Sequence, residues 1–503
     1  MNSEPHKSST RQEGDDLGEG LGDGRASIVR APTALAWSFA NTVVSRLGTL
    51  AVGIVLARLL GPEEFGTFAV ALVALTAVLS FNELGVSLAI VRWAGDPRRI
   101  APTVMTISVL TSVVLFGIVF GLAPAFSTAM GDPGATPIVR VLGVAIVVSG
   151  IVATPAMLMQ REFLQRRKML IDQVSVWLGT GVSLAMALAG AGAWSLAVGR
   201  LAGGIVSVVM FLLLSPVPCR FGLDRSSLRP LLQFGLPLAG ASAIVFALNY
   251  ADQLVVGGML GSTALGFYVL AANLSGWPVN VFSQPLRSVA PPVFARLKHT
   301  PAQMRETFCS LLGVLARVAL PVCLVLAGAA GPIVTFVYGE EWGMAASALT
   351  WLAVFGAFKI IFELVYDFLV IAGASGVILR IQTLSLIVIV PVVLAGAVVD
   401  GIRGVAAAQA VTAALILFPL YLYQLSRVGV PVVAAVRRLA APAVVSVTTG
   451  FAAWGLGVVV ESDALASMIA GAGVALAVAG LLLADRASLR HLRMSAAPAD
   501  SEE

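Results

Sequence analysis

Charge is scarce in this chain. Asp, Glu, Lys and Arg together make up 12% of its 503 residues, against about 25% in ordinary soluble domains. That excludes a water-exposed globular surface over most of its length. Histidine is scarcer still: His6, His299 and His491 are the full set, and all fall outside the apolar runs. An intramembrane histidine proton relay is therefore excluded. Cys219, Cys309 and Cys323 lack the spacing of a zinc site or disulfide framework and are expected to be free thiols. No G-x-x-x-x-G-K-[ST] stretch occurs, so ATP hydrolysis by this chain is not expected, nor is a metal or organic cofactor. The longest polar loops on the side away from the basic residues, around 126–137 and 335–343, are short and contain no histidine. This argues against a membrane polymerase or ligase, and the chain is not expected to be an enzyme.

Apolar residues are abundant. They make up 58% of the chain, and the mean hydropathy is +0.93. Residues 1–30 are polar, Gly-rich and charged and are expected to be a disordered tail. No signal peptide is expected, because the first apolar run is too long and has no cleavage site. Segments of membrane-spanning length follow at 33–59, 65–88, 101–125, 137–159, 171–190, 194–214, 235–260, 265–287, 308–334, 344–371, 376–398, 404–425, 440–460 and 464–484. Pro155, Pro321, Pro391 and Pro419 fall inside segments, where a kink is tolerable if neighbours satisfy the freed carbonyl.

The basic residues orient these segments. Placing residues 1–30 in the cytoplasm puts 25 of the 32 Lys and Arg residues on the inner side. Arg58, Arg140 and Arg403 fall outside, with acidic pairs such as Glu63–Glu64 and Glu340–Glu341. This is the positive-inside distribution, and it predicts about 14 transmembrane helices with both termini cytoplasmic in the cell inner membrane. The net charge of +5 then reflects topology, and no nucleic-acid partner is expected.

One stretch organises the chain. LARLLGPEEFGTFAVA, 56–71, returns 200 residues later as VGGMLGSTALGFYVLA, 256–271. Leu60/Leu260, Gly61/Gly261, Gly66/Gly266 and Ala71/Ala271 are identical, and Phe68/Tyr268 keep an aromatic. Each copy joins two apolar runs through a turn that fits only a helical hairpin. Gly61 can end one helix in the left-handed conformation. Pro62 suits the first position of the next, with Glu63 and Glu64 at its positive dipole end. Ser262 and Thr263 offer hydroxyls for the same capping. Small residues four apart, such as Gly257 and Gly261, would let helices approach closely.

Six spans separate the two copies. An even number means parallel repeats about an axis along the membrane normal. The expected architecture is an all-α polytopic membrane protein of two parallel six-helix lobes, 31–214 and 235–426. Two more helices follow at 427–484, then a cytoplasmic tail at 485–503. The linker 215–234 is expected to lie on the inner surface as an amphipathic helix.

LARLLGPEEFGTFAVA followed by ELGVSLAIVR, then DQLVVGGMLGSTALGFYVLA and PPVFARL, resembles the polysaccharide-export family, the lipid-linked oligosaccharide flippases. These belong to the multidrug/oligosaccharidyl-lipid/polysaccharide exporter superfamily. The resemblance covers roughly residues 35–425. It implies an alternating-access exporter that turns a polyprenyl-diphosphate-linked glycan from the inner to the outer leaflet. Polymerase and glycosyltransferases of the same pathway are implied as further partners, and a monomer is expected. A drug or cation antiporter of the same superfamily is the alternative. A major-facilitator carrier also has parallel repeats, but RWAGDPRRIAP, 92–102, lacks its spaced basic motif.

Ionisable groups inside spans cost about 2.5–3.5 kcal/mol each at a helix centre, so they are candidates for the work. Arg46 and Arg317 lie roughly 14–18 Å deep at 1.5 Å per residue, one in each lobe. With Arg200 and Lys359 they are the candidate diphosphate-binding residues, a guanidinium fork suiting the bidentate geometry. The alternative is pairing with a carboxylate on a neighbouring helix. Lys359, Glu363 and Asp367 form a four-residue stripe on one helix face, either an ion-pair ladder or a cation-coupling site. Asn249, Asp252 and Gln253 make a polar face, serving either helix packing or ion coupling. Glu83 is expected to pair with a basic neighbour.

Overall fold

The computed structural model describes residues 51–80, 87, 89–90, 96–162, 164–218 and 220–484. The chain divides into two units, Met1–Ile54 and Val55–Glu503. Of the first, the described residues 51–54 are helical; the second contains the helical bundle. The polar tails and the candidates Arg46 and Glu83 lie outside the described residues.

Among the described residues the chain is helical and has no strand. In order, the helices are α1 (Ala51–Ser80), broken at the left-handed Gly61, α2 (Pro97–Ala129), α3 (Thr136–Arg161), α4 (Gln165–Leu188) and α5 (Trp194–Leu214). Then come α6 (Arg225–Leu260), α7 (Ser262–Arg296), α8 (Pro301–Gly328), α9 (Ala330–Tyr338) and α10 (Gly343–Ile371). The last are α11 (Ser375–Thr412), which is two helical segments broken at Asp400–Gly401, α12 (Phe418–Arg427), α13 (Val432–Val459) and α14 (Asp463–Ala484). Nine helical stretches among the described residues are long and apolar enough to cross a membrane, which fits an all-α multi-pass membrane protein. Helices are the open-chain solution in lipid, because each satisfies its own backbone polar groups.

Local chemistry explains most breaks. Gly61 (φ 70°) and Gly261 (φ 87°) both take the left-handed conformation, turning the chain sharply between apolar runs. Pro155, Pro321 and Pro391 lie within helices. Ahead of Pro419 the helix widens into a π-turn over Ala413–Leu417, a common way to absorb such a residue. Three expectations are corrected. The 215–234 segment is not an amphipathic helix. Residues 215–218 and 220–224 are non-helical and α6 begins at Arg225, since Pro216 and Pro218 cannot serve a helix interior. The 308–334 run breaks after Gly328 and resumes as the short α9. Ser262 and Thr263 make no side-chain cap; the N-cap position of α7 is Gly261.

The helices pack in groups. α2 lies on α3, α4 on α5 and α3 on α5. Separately, α10 packs on α7, α8 and α11, and α6 packs on α11. α13 lies along α8, with α14 against α13, α8 and α9. The α8–α13 contact is close because a Cβ on Gly328 would meet the backbone of Gly450, so the missing side chain sets the spacing.

The two hairpin turns come together at one end of the bundle, here called the hairpin end. A Cβ on Gly66 would lie 2.7 Å from the carbonyl carbon of Ser262 and 3.1 Å from Thr263 Cα. A Cβ on Gly266 would lie 2.7 Å from Pro62 O and 2.9 Å from Gly66 Cα. Residue 66 thus meets 262 while 266 meets 62, the reciprocity that a two-fold axis between the repeats requires.

Around this contact Phe65 meets Trp342 edge-to-face at 5.5 Å, and Phe267 meets the same ring at 5.8 Å. Arg58 donates to the carbonyls of Phe336 and Val337 at the end of α9. Glu64 accepts from Ala193 N at 2.7 Å, just ahead of α5, so its carboxylate sits at the positive end of that helix. At the opposite, far end, the connecting segment is fastened to α2. Thr106 Oγ1 donates to Gly222 O at 2.8 Å and accepts from Gly222 N at 3.0 Å, while Asp224 N donates to Thr103 Oγ1 at 3.0 Å.

Candidate functional site

Polar and charged side chains inside the bundle fall at three depths. Nearest the hairpin end is a hydrogen-bonded cluster joining α6, α7 and α11. Tyr268 OH donates to Asp252 Oδ2 at 2.7 Å, and Gln409 Nε2 lies 2.7 Å from the same oxygen and 2.6 Å from the Tyr268 hydroxyl. Asp252 Oδ1 accepts from Gln253 N at 2.9 Å. Asn249 instead turns back to Val245 O at 2.8 Å and is exposed.

Tyr268 and Gln409 were not candidates from sequence. The available signal was Tyr268 standing where the first repeat has Phe68: a buried tyrosine hydroxyl usually finds a partner. Three helices share this carboxylate, so Asp252→Ala is expected to destabilise the protein by about 1–3 kcal/mol by orphaning buried donors. Asp252→Asn, which keeps the shape, should cost less, and thermal melting of the purified protein would show the difference. An unchanged melt for Asp252→Ala would rule the fastening role out.

At similar depth α5 carries Arg200, about six residues or ~9 Å from the helix start. It is exposed, and on α6 the ring of Tyr250 stacks on Phe246 at 4.9 Å.

Lys359 lies deeper on α10, about 16 residues or ~24 Å from the helix start. It and Glu363, one turn on, are half-buried, and neither forms an ion pair among the described residues. Asp367, at the far end of the stripe, is buried and approached by Arg287 Nε of α7 at 3.4 Å. This is an ion pair at long range rather than a well-formed hydrogen bond. The stripe is thus divided: Asp367 ties α10 to α7, while Lys359 carries an intramembrane charge without a salt bridge among the described residues.

Arg317 has a different setting. It is 9% exposed on α8, and its Nη1 and the Arg438 stem of α13 both crowd the side of Gly313. It belongs to the packed α8–α13 contact. Cys309 and Cys323 on the same helix are buried free thiols.

Comparison with known proteins bears on what this arrangement does. The model of a family described as "Polysaccharide biosynthesis protein" matches residues 55–347. The lipopolysaccharide biosynthesis protein WzxC of Escherichia coli (strain K12) is 24% identical over 372 residues, covering 73% of this chain and 75% of that protein. The succinoglycan biosynthesis transport protein ExoT of Rhizobium meliloti (strain 1021) is 24% identical over 325 residues, covering 63% and 65%. The chain thus spans slightly less than two thirds of ExoT. Among solved structures, the lipid II flippase MurJ in an inward closed conformation superposes with a TM-score of 0.71 at 12% identity, covering 89% of this chain and 99% of that one. At that identity the likeness is one of fold.

Proposed function

We propose, from the premise that the chain belongs to the polysaccharide biosynthesis protein family, that it is a flippase for a polyprenyl-diphosphate-linked oligosaccharide. It carries this cargo across the cytoplasmic membrane by alternating access, for assembly of a cell-surface polysaccharide. The match over residues 55–347 carries this reading. WzxC and ExoT, named for lipopolysaccharide biosynthesis and succinoglycan transport, support the cargo class.

In this proposal residues 31–214 and 235–426 are the two lobes, linked by 215–234, and 427–484 is appended. The hairpin end faces outward and the arginine-rich far end faces the cytoplasm. The Gly66–Gly266 contact is then the closed outer gate. A hydrophilic glycan on an apolar anchor needs an attractive path for its diphosphate. Arg200 and Lys359 supply it at two depths through charge-assisted hydrogen bonds. Arg46 joins them on sequence grounds alone, while Arg317 serves the α8–α13 contact. Glu363, one turn from Lys359, is the carboxylate we assign to cation coupling.

The test is a reconstituted flip assay with a fluorescent polyprenyl-diphosphate oligosaccharide, under imposed sodium or proton gradients. Movement between leaflets is expected, with gradient dependence abolished in Glu363→Gln. Gradient-driven transport of small organic cations without glycan movement would favour a drug antiporter instead. Orientation is checked separately. A cysteine replacing Glu63 or Glu340 should label from outside intact cells and one replacing Arg166 or Arg296 should not; outside labelling at Arg166 would reverse the assignment.

A further inference from the structure

A groove of about 370 Å³ lies between the far-end halves of α11 and α12, away from the Arg200–Lys359 track. Its mouth is cationic. Arg380, one turn into α11, and Arg427, the last residue of α12, both line it, with Tyr423 and Gln424 beside them. No lining residue is acidic, and neither arginine forms an ion pair among the described residues. Behind the mouth, Arg305 of α8 donates to the carbonyl of Val428 at 2.9 Å, adding a third positive charge.

Further in, the walls become hydrocarbon. Leu384 is about one turn, ~6 Å, beyond Arg380, and Leu420 about two turns, ~10 Å, before Arg427, so both lie on the membrane side of the arginines. Leu384 is 41% exposed and Tyr423 55% exposed, so the groove opens on the protein surface.

We propose that this groove holds one anionic phospholipid, its phosphate between Arg380 and Arg427 and the start of an acyl chain along Leu384 and Leu420. The positive-inside rule accounts for arginines at this end. It does not account for two of them sharing a concave site with two neutral hydrogen-bonding side chains and an apolar floor. That gradient, cationic at the rim and apolar within, matches a glycerophospholipid. A free phosphate would use only the rim, and a zwitterionic lipid would bring its own cation into a site without a carboxylate. Basic pockets between transmembrane helices on the cytoplasmic side are known to suit such headgroups. The inference is independent of which cargo the protein carries.

The experiment is native mass spectrometry of the full-length protein, extracted from nanodiscs containing equal phosphatidylglycerol and phosphatidylcholine. One phosphatidylglycerol should survive activation that strips phosphatidylcholine. Arg380→Ala and Arg427→Ala should each lower that retention by about fivefold, and together by roughly 25-fold. The double lysine variant, which keeps the charge, should stay near wild type and guards against a folding defect. Leu384→Glu, with both guanidiniums intact, should also lose the lipid, because it places a carboxylate where the acyl chain lies. Inorganic phosphate should compete poorly. Equal retention of the two lipids, unchanged retention in the double alanine variant, or efficient displacement by inorganic phosphate would each overturn the proposal.

Discussion

Replacing Gly66 with valine is expected to abolish export while leaving the chain folded in the membrane. A Cβ at this position falls 2.7 Å from the carbonyl carbon of Ser262, and the obstacle is backbone, which no side-chain rotation removes. Relief requires the start of α7 to move away from α1. That movement also parts Gly266 from Pro62 and Gly66, because the contact is reciprocal, and it draws Phe65 from the face of Trp342. Overpacking of this kind costs about 1–3 kcal/mol. Placed on an open–closed equilibrium, it shifts the populations by roughly five- to 150-fold. A carrier held open at the hairpin end does not return to load cargo. A cysteine at Thr263 in the Gly66→Val background should react faster with an impermeant maleimide on intact cells than the same cysteine in the parent, and Gly66→Ala should lie between. Normal export by Gly66→Val would mean that this contact is not a gate.

Lys359→Met should separate a binding role from a structural one, because the two predict opposite changes in stability. A lysine near the middle of a spanning helix costs about 2.5–3.5 kcal/mol on insertion scales. Among the described residues no salt bridge offsets this. Removing the charge while keeping the stem's bulk should therefore leave folded protein unchanged or raised. Export should fall by roughly ten- to 150-fold, the equivalent of one charge-assisted hydrogen bond of about 1.5–3 kcal/mol. Lys359→Arg should restore much of it. Measuring flip rate and thermal midpoint on the same preparations checks both signs together. A fall in stability that parallels the fall in export would return Lys359 to an ion-pairing role.

Turn chemistry and hydropathy belong to the chain locally, and the sequence determined what depends on them. Gly61 can turn left-handed because it has no Cβ to clash with its own backbone. The apolar runs are helical because lipid offers no other partner for their backbone. Depth was equally accessible, since each residue adds a fixed rise, so Lys359 and Arg317 could both be placed within the bundle by counting.

What counting cannot supply is azimuth, the direction in which a side chain leaves its helix relative to neighbours packed against it. That depends on rotations and close approaches settled jointly by distant segments. Only the tertiary structure turned Arg317 into the α8–α13 contact. It also joined Asp252 to Tyr268 and to Gln409, 157 residues away, and sent Glu64 across 129 residues to the start of α5. The pairing of Gly66 with Gly266 stands between the two cases. The repeat announced that the residues are equivalent, and packing about the axis between them made them touch.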